Sequence, residues 1–326
     1  VLDRDAAHLT AVARLQELLD GEERVSILDR FETAVWHRIE KGDLDGSLLE
    51  GIQNAALWRG HAARASAVAT ARAVLDGAEP NEDAKPLDLS PVPTASISNR
   101  DSSTVVDRVI RIVGTARAKD RIRSKTLDAK HPLYPDFGHL CEMHGRRCGS
   151  VGVSRDADAV SAYLGRDGEI HWVVPSRCVD GLEPRDRFRA GQLAWAVPLG
   201  ATELLDESAT AAAGLLVAVL RAAHCRVQTA GPVLPAVSTK LRRAVRKGVH
   251  EAAANADLGP SDLLAAVERI HRTADRAGLL ASGDLAVSLA SVCGEPTLEK
   301  VASSTRARDL LRFWMADDSP LWSRDV

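Results

Sequence analysis

Residues 151–174 read VGVSRDADAVSAYLGRDGEIHWVV, and the period of this stretch decides the fold class. Val151 and Val153 recur at every second position, and so do Ile170, Trp172 and Val174, which predicts two short strands with one face inward. Between them, Asp158 to Gly165 is a small-residue segment ending in glycine, and Arg166-Asp167-Gly168 is a turn signal. Almost everything outside this window has helical period instead. The expected fold is therefore mainly α (α+β), with a small, short-stranded sheet inside a helical protein. Composition agrees: in 326 residues, Ala and Leu dominate and aromatics are only 4%, which favours helices over large sheets.

Upstream, apolar stripes predict helices. Leu9, Val12, Ala13, Leu15 and Leu19 form the first, and a second runs from about Arg24 to Ile39 with Ile27, Leu28, Phe31, Ala34, Val35 and Ile39 inward. A third carries Leu48, Leu49, Ile52, Ala55, Ala56 and Trp58; Gly60 separates it from a fourth over 62–75. The stretch ALWRGHAARASAVATARAVLDG, Ala56 to Gly77, resembles a degenerate tetratricopeptide-type hairpin. A plain helical bundle has the same helix–loop–helix pattern. Repeat arrays need several units and a cap, so residues 1–77 read as the tail of a longer array. Residues 78–103 hold Pro80, Pro86, Pro91 and Pro93 among Ser, Asp and Asn, and read as a linker open to proteolysis. Residues 104–326 read as the second domain, with helices expected at 104–125, 135–145, 184–197, 204–227, 237–255, 260–278 and 283–294. Ser282-Gly283-Asp284 falls at a helix junction, where Asp or Ser caps the next helix.

The order of features from about 135 to 290 resembles the gluzincin metalloproteases of the heat-shock and prenyl-protein-processing type. Those have a strand, a segment like N-A-F-A-x-G, a second strand, a helix with H-E-x-x-H, and a later helix with E-x-x-x-D. Here the first strand is Gly152-Val-Ser154 and the segment is Ala159-Val-Ser-Ala-Tyr-Leu-Gly165. Glu169-Ile-His-Trp-Val-Val174 is the second strand, followed by Cys178-Val-Asp-Gly-Leu182. Arg187-Phe-Arg-Ala-Gly-Gln-Leu-Ala-Trp-Ala-Val197 stands where the family carries its metal helix, and Arg269-Ile-His-Arg-Thr-Ala-Asp-Arg-Ala-Gly278 stands at the later one.

On that register Gly191 occupies the first zinc-ligand position, Gln192 that of the catalytic Glu, Trp195 the second ligand and His271 the third, while Asp275 keeps the acidic partner. The resemblance thus implies a zincin-like domain with a degenerate site, no metal and no cofactor. Catalytic zinc takes three protein ligands and leaves one position for water, and an adjacent Glu accepts the water's proton. Glycine has no ligand atom, and tryptophan offers only a donor N–H. On this reading Trp195 fills the vacated space, and all four positions, 191, 192, 195 and 271, must be restored before zinc binds.

One cluster has metal-like composition: His139, Cys141, His144 and Cys148. On a helix, residues 141 and 144 share a face while 139 points elsewhere, so a packing helix with a buried cysteine is the competing reading. Two basic runs stand out: Arg108, Arg111, Arg117, Lys119, Arg121, Arg123, Lys125 and Lys130, then Lys240, Arg242, Arg243, Arg246 and Lys247. Joined into one face they would suit nucleic acid; without interleaved aromatics for base stacking, solvated helix faces are favoured. No G-x-S-x-G elbow, P-loop or dinucleotide fingerprint is present in the sequence.

The net charge of −3 selects no partner. Five scattered cysteines point to a reducing compartment, hence cytoplasm. The chain starts at Val1, so a leader or upstream domain is not judged from it. The apolar stretch Ala211 to Ala223, interrupted by Arg221, is shorter than the roughly 20 residues of a membrane span and reads as a buried helix. The functional expectation is a non-catalytic scaffold that binds other proteins within a larger assembly. Two alternatives stand beside it: a metal-dependent hydrolase with ligands drawn from His139, His144, His171 or His271, and a nucleic-acid adaptor using the basic helices.

Overall fold

The structure is a computed structural model that describes residues 7–80, 104–117, 124–237, 239–316 and 319. It is mainly helical with one small mixed sheet. Two compact units emerge: residues 1–84 with 284–326, and residues 85–283.

The first unit contains α1 (Leu9–Leu18), α2 (Gly21–Glu40), α3 (Gly46–Trp58) and α4 (Ala62–Leu75). α3 and α4 form a tight hairpin: the His61 amide returns to the Ala56 carbonyl at 2.9 Å, and Gly60 takes a φ of +78° that favours glycine. Leu28, Phe31, Val35 and Ile39 are buried on α2, as the stripe predicts, but so is Glu32. Three further helices complete this unit, α12 (Leu285–Cys293), α13 (Leu298–Ser303) and α14 (Thr305–Met315). The sequence reading ran one domain from 104 to 326; the structure instead joins the last helices to the first four. The Trp314 indole donates to the Ala67 carbonyl at 2.9 Å, and Arg64 Nε donates to the Met315 carbonyl at 2.8 Å. The physical reason is the apolar face of α14: Ala307, Leu310, Leu311 and Met315 are fully buried there. Asp284 caps α12 through the Val287 amide at 2.9 Å, as its position predicted.

The second unit begins with α5 (Thr104–Arg117). The expected helix over 104–125 is not continuous to its end, because Lys125–Thr126 is a short strand, β1; residues 118–123 lie outside the described residues. The expected linker also lies outside them from residue 81 to 103. Next come α6 (Leu133–Glu142), β2 (Cys148–Ser154), β3 (Ser161–Leu164) and β4 (Ile170–Pro175). Sheet order is β1-β2-β4-β3, with β2 and β4 parallel and the two outer pairings antiparallel.

The two strands read from alternation are β2 and β4; β1 and β3 were not read as strands. Alternation is only partly kept. Ile170, Trp172 and Val174 are buried, but so is Val173, because β4 is central and covered on both faces. Val153 is half-buried while Val151 is fully buried. α6 packs Leu133 and Phe137 onto this sheet, with the Phe137 and Trp172 rings 4.5 Å apart and tilted by 32°.

The remaining helices are α7 (Pro184–Ala196), α8 (Thr202–Leu205), α9 (Ala209–Ala222), α10 (Arg243–Ala253) and α11 (Pro260–Ser282). The helix expected over 204–227 is split, since Ser208 caps α9 by accepting from the Ala211 amide at 3.2 Å. The helix expected from 237 starts later, at Arg243, after a segment with Gly231, Pro232 and Pro235. Together α5, α9, α10 and α11 surround one apolar cluster that includes Val109, Leu216, Leu220, Val249 and Val267.

Candidate functional site

α7 and α11 build the region that the sequence singled out. Each carries small residues on its contact face, Ala190, Gly191 and Ala194 on one, Ala274, Ala277, Gly278 and Ala281 on the other, all of them buried. The two helices run antiparallel in close contact. A Cβ built on Gly191 would stand 2.5 Å from the Ala277 carbonyl oxygen and 2.5 Å from the Ala281 methyl. On the other helix, a Cβ on Gly278 would stand 2.8 Å from the Phe188 ring and from its carbonyl oxygen.

One residue along, Gln192 Nε2 donates to Asp275 Oδ1 at 2.9 Å, and both side chains are buried. One turn further on each helix stand Trp195 and His271. Trp195 is buried in the apolar cluster with Ile270 and Ala274. The His271 ring meets the Leu204 carbonyl through Nε2 at 2.6 Å.

The five positions therefore fall along one helix pair, α7 and α11. Sequence reasoning missed what Gly191 does: it is a contact point with the α11 backbone as well as a residue lacking a ligand atom. A histidine at 191, one of the four changes that the sequence reading requires before zinc binds, has no room for its Cβ.

The cluster of His139, Cys141, His144 and Cys148 does not converge as four ligands. Among the described residues no three His, Cys, Asp or Glu side chains are placed to hold a metal. His139 is half-buried on α6. His144 sits in the following turn with both ring nitrogens buried and without a hydrogen-bond partner, and burial pushes its pKa down to about 4. Cys141 is fully buried.

His171 serves the sheet. Its Nδ1 accepts from the Ser150 amide at 3.1 Å and lies 2.9 Å from Ser150 Oγ; its Nε2 lies 3.3 Å from Asp167 Oδ2. Gly149 and Gly165 flank the ring so closely that a Cβ on either would be within 2.6 Å of it, and Tyr163 stacks on it at 5.2 Å. This Ser150–His171–Asp167 trio was not read from sequence, because its members come from two strands and a turn. It looks like a nucleophile–base–acid arrangement, but the Ser150 amide takes the Nδ1 lone pair that a base would need. The geometry is that of a wedge holding β2, β3 and β4 together.

Beside the edge strand β3 lies a cavity of about 270 Å³ lined in part by Gly114, Tyr163, Leu164, Val197, Gly200 and Glu203. Of the basic runs, Lys119, Arg121 and Arg123 lie outside the described residues. Arg108 and Arg111 on α5 are exposed, as are Arg243, Arg246 and Lys247 on α10, and these two helices pack against one another. Lys247 lies 3.7 Å from Glu251.

What these observations define is a helix-rich α+β protein with two units. Comparison with protein-family models, with curated proteins and with solved structures gave no match. No helix among the described residues is long and apolar enough to cross a membrane.

Proposed function

We propose that the chain is a non-catalytic interaction protein, a helical scaffold carrying a zincin-like region with no place for a metal. One observation carries this reading: at Gly191 the space of a ligand side chain is taken by the α11 backbone and the Ala281 methyl. Three neighbouring features support it. Gln192 spends its amide on Asp275, Trp195 is part of the apolar core, and His271 is turned to the Leu204 carbonyl. For a hydrolase with unusual ligands, His139, His144, His171 and His271 would have to meet, and they stand in separate surroundings.

The docking surface in this proposal is the β3 edge with its adjoining cavity. Edge strands present unpaired backbone groups that accept an extended polypeptide, while pockets alongside take its side chains. Protein partners within an assembly, in the cytoplasm, follow from this reading; the five unpaired cysteines support the compartment. The packing of α5 on α10 favours a second reading, a nucleic-acid adaptor, because it brings exposed Arg108, Arg111, Arg243 and Arg246 onto neighbouring helices.

A photoreactive amino acid at Ala162 in β3, compared with one at Arg246 on α10, separates the two inside the cells that make the protein. The scaffold reading expects a discrete polypeptide adduct at Ala162, lost when a proline at Tyr163 breaks the edge. Adducts to nucleic acid at Arg246, with none at Ala162, would overturn it.

A further inference from the structure

Residues 221–250 hold seven lysines and arginines and no aspartate or glutamate, in a chain whose net charge is −3. All seven are exposed. Arg221 and Arg226 lie at the end of α9 and just past it, Lys240 and Arg242 lead into α10, and Arg243, Arg246 and Lys247 stand on it. With His250, these last three follow the i, i+3, i+4, i+7 spacing that puts side chains on one face of a helix. The opposite face is turned inward, with Val249 and Ala253 buried. Of the seven, only Lys247 has a carboxylate within ion-pair distance among the described residues, Glu251 at 3.7 Å.

A basic helix face is by itself most often only solvated; the segment leading into this one adds a second feature. Between α9 and α10 the chain runs through Pro232-Val-Leu-Pro-Ala-Val237 without regular structure. Leu234 and, further on, Leu241 pack against the apolar cluster of the second unit. The Pro235 carbonyl lies so close to α9 that a Cβ on Gly214 would stand 2.6 Å from it. This strap is therefore anchored, and what it holds outward is apolar: Pro232, Val233, Pro235, Ala236 and Val237 are exposed. Val233 is 97% exposed, more than any other large hydrophobic residue among the described ones. A groove of about 540 Å³ along the strap is lined by Pro232, Val237 and Arg221, so apolar and basic groups adjoin there.

We infer that the strap 232–237 and the basic face of α10 form a docking surface for an anionic membrane. Val233 and Val237 enter the headgroup layer, and the guanidinium and ammonium groups pair with lipid phosphates. The charges draw the protein to an anionic leaflet, and the apolar side chains hold it at the boundary with the acyl chains. Among the described residues the strap's amides make no hydrogen bond to protein. Insertion therefore stops at headgroup depth, where water and phosphate still reach them. A nucleic acid would engage the charges but leave Val233 in water, and residues 221–250 contain no Phe, Tyr or Trp to stack on bases.

Flotation of the full chain with lipid vesicles tests this. Vesicles of equal parts phosphatidylglycerol and phosphatidylcholine should carry the protein upward, and vesicles of phosphatidylcholine alone should not. Val233→Ser should weaken binding to the anionic vesicles roughly fivefold to tenfold. Arg243→Gln with Arg246→Gln should weaken it about twentyfold, at roughly fivefold for each charge near the surface. All three side chains are exposed, so these variants should keep the fold, which circular dichroism checks. Equal behaviour with the two kinds of vesicle, or binding that ignores Val233→Ser, would overturn the inference. So would a mixed-sequence DNA duplex that strips the protein from anionic vesicles at equal phosphate concentration.

Discussion

Replacing Gly191 with alanine should destabilise the second unit by about 3 kcal/mol, the upper part of the range for forcing an extra methyl into a packed core. Elsewhere in a helix the same change is stabilising by roughly 1 kcal/mol, since alanine is the better helix former. The sign reverses here because the new methyl would meet the Ala277 carbonyl and the Ala281 methyl at 2.5 Å. Neither can move alone: one is backbone and the other is held at its Cα. Relief requires α7 and α11 to separate, which loosens the Gln192–Asp275 hydrogen bond and the Trp195 packing. Urea unfolding followed by hydrogen exchange on α7 and α11 measures the effect. Unchanged or raised stability in Gly191→Ala would mean that the helices are not in this contact.

The second large effect is expected in the first unit, at Arg64→Met. Arg64 is 3% exposed and grips Glu32 with both terminal nitrogens, at 2.9 and 3.2 Å, while its Nε holds the Met315 carbonyl. Losing one member of a buried pair costs about 3–5 kcal/mol, because the remaining charge stays out of water uncompensated. The lower end is expected, since Arg59 lies 3.6 Å from Glu32 and can take part of the load. The double change Glu32→Leu with Arg64→Met removes both charges and should cost clearly less than the sum of the single changes. A double-mutant cycle by denaturant unfolding checks this. Additive effects would show that the pair does not act as a unit.

These two sites also show how far the sequence could be read. The α2 stripe was legible because Leu28, Phe31, Val35 and Ile39 repeat at helical spacing. Glu32 on the same face was not, since its partner Arg64 lies on another helix and nothing local marks either as buried. The apolar face of α14 is as regular as that of α2, yet periodicity says only that a helix is buried, not against what. That is why residues 285–315 were assigned to the wrong side of the division. The strands β2 and β4 announced themselves by alternation; β3, at the sheet edge with every residue half-buried, had no such contrast.

At the candidate site, Gly191, Gln192 and Asp275 were singled out through the family resemblance, and the helix pair brings them close to one another. The close approach at Gly191 was hidden, because a glycine in a helix reads the same whether it faces solvent or another backbone.

The central proposal is that the α7–α11 region holds no metal, and zinc stoichiometry tests it most directly. The purified full chain is dialysed against a chelator, exposed to excess zinc, freed of loose metal by gel filtration and measured by elemental analysis. With the Gly191 position closed by α11 and Gln192, Trp195 and His271 otherwise engaged, retained zinc should be far below one equivalent per chain. One full equivalent of tightly held zinc, lost on His271→Ala, would contradict the account.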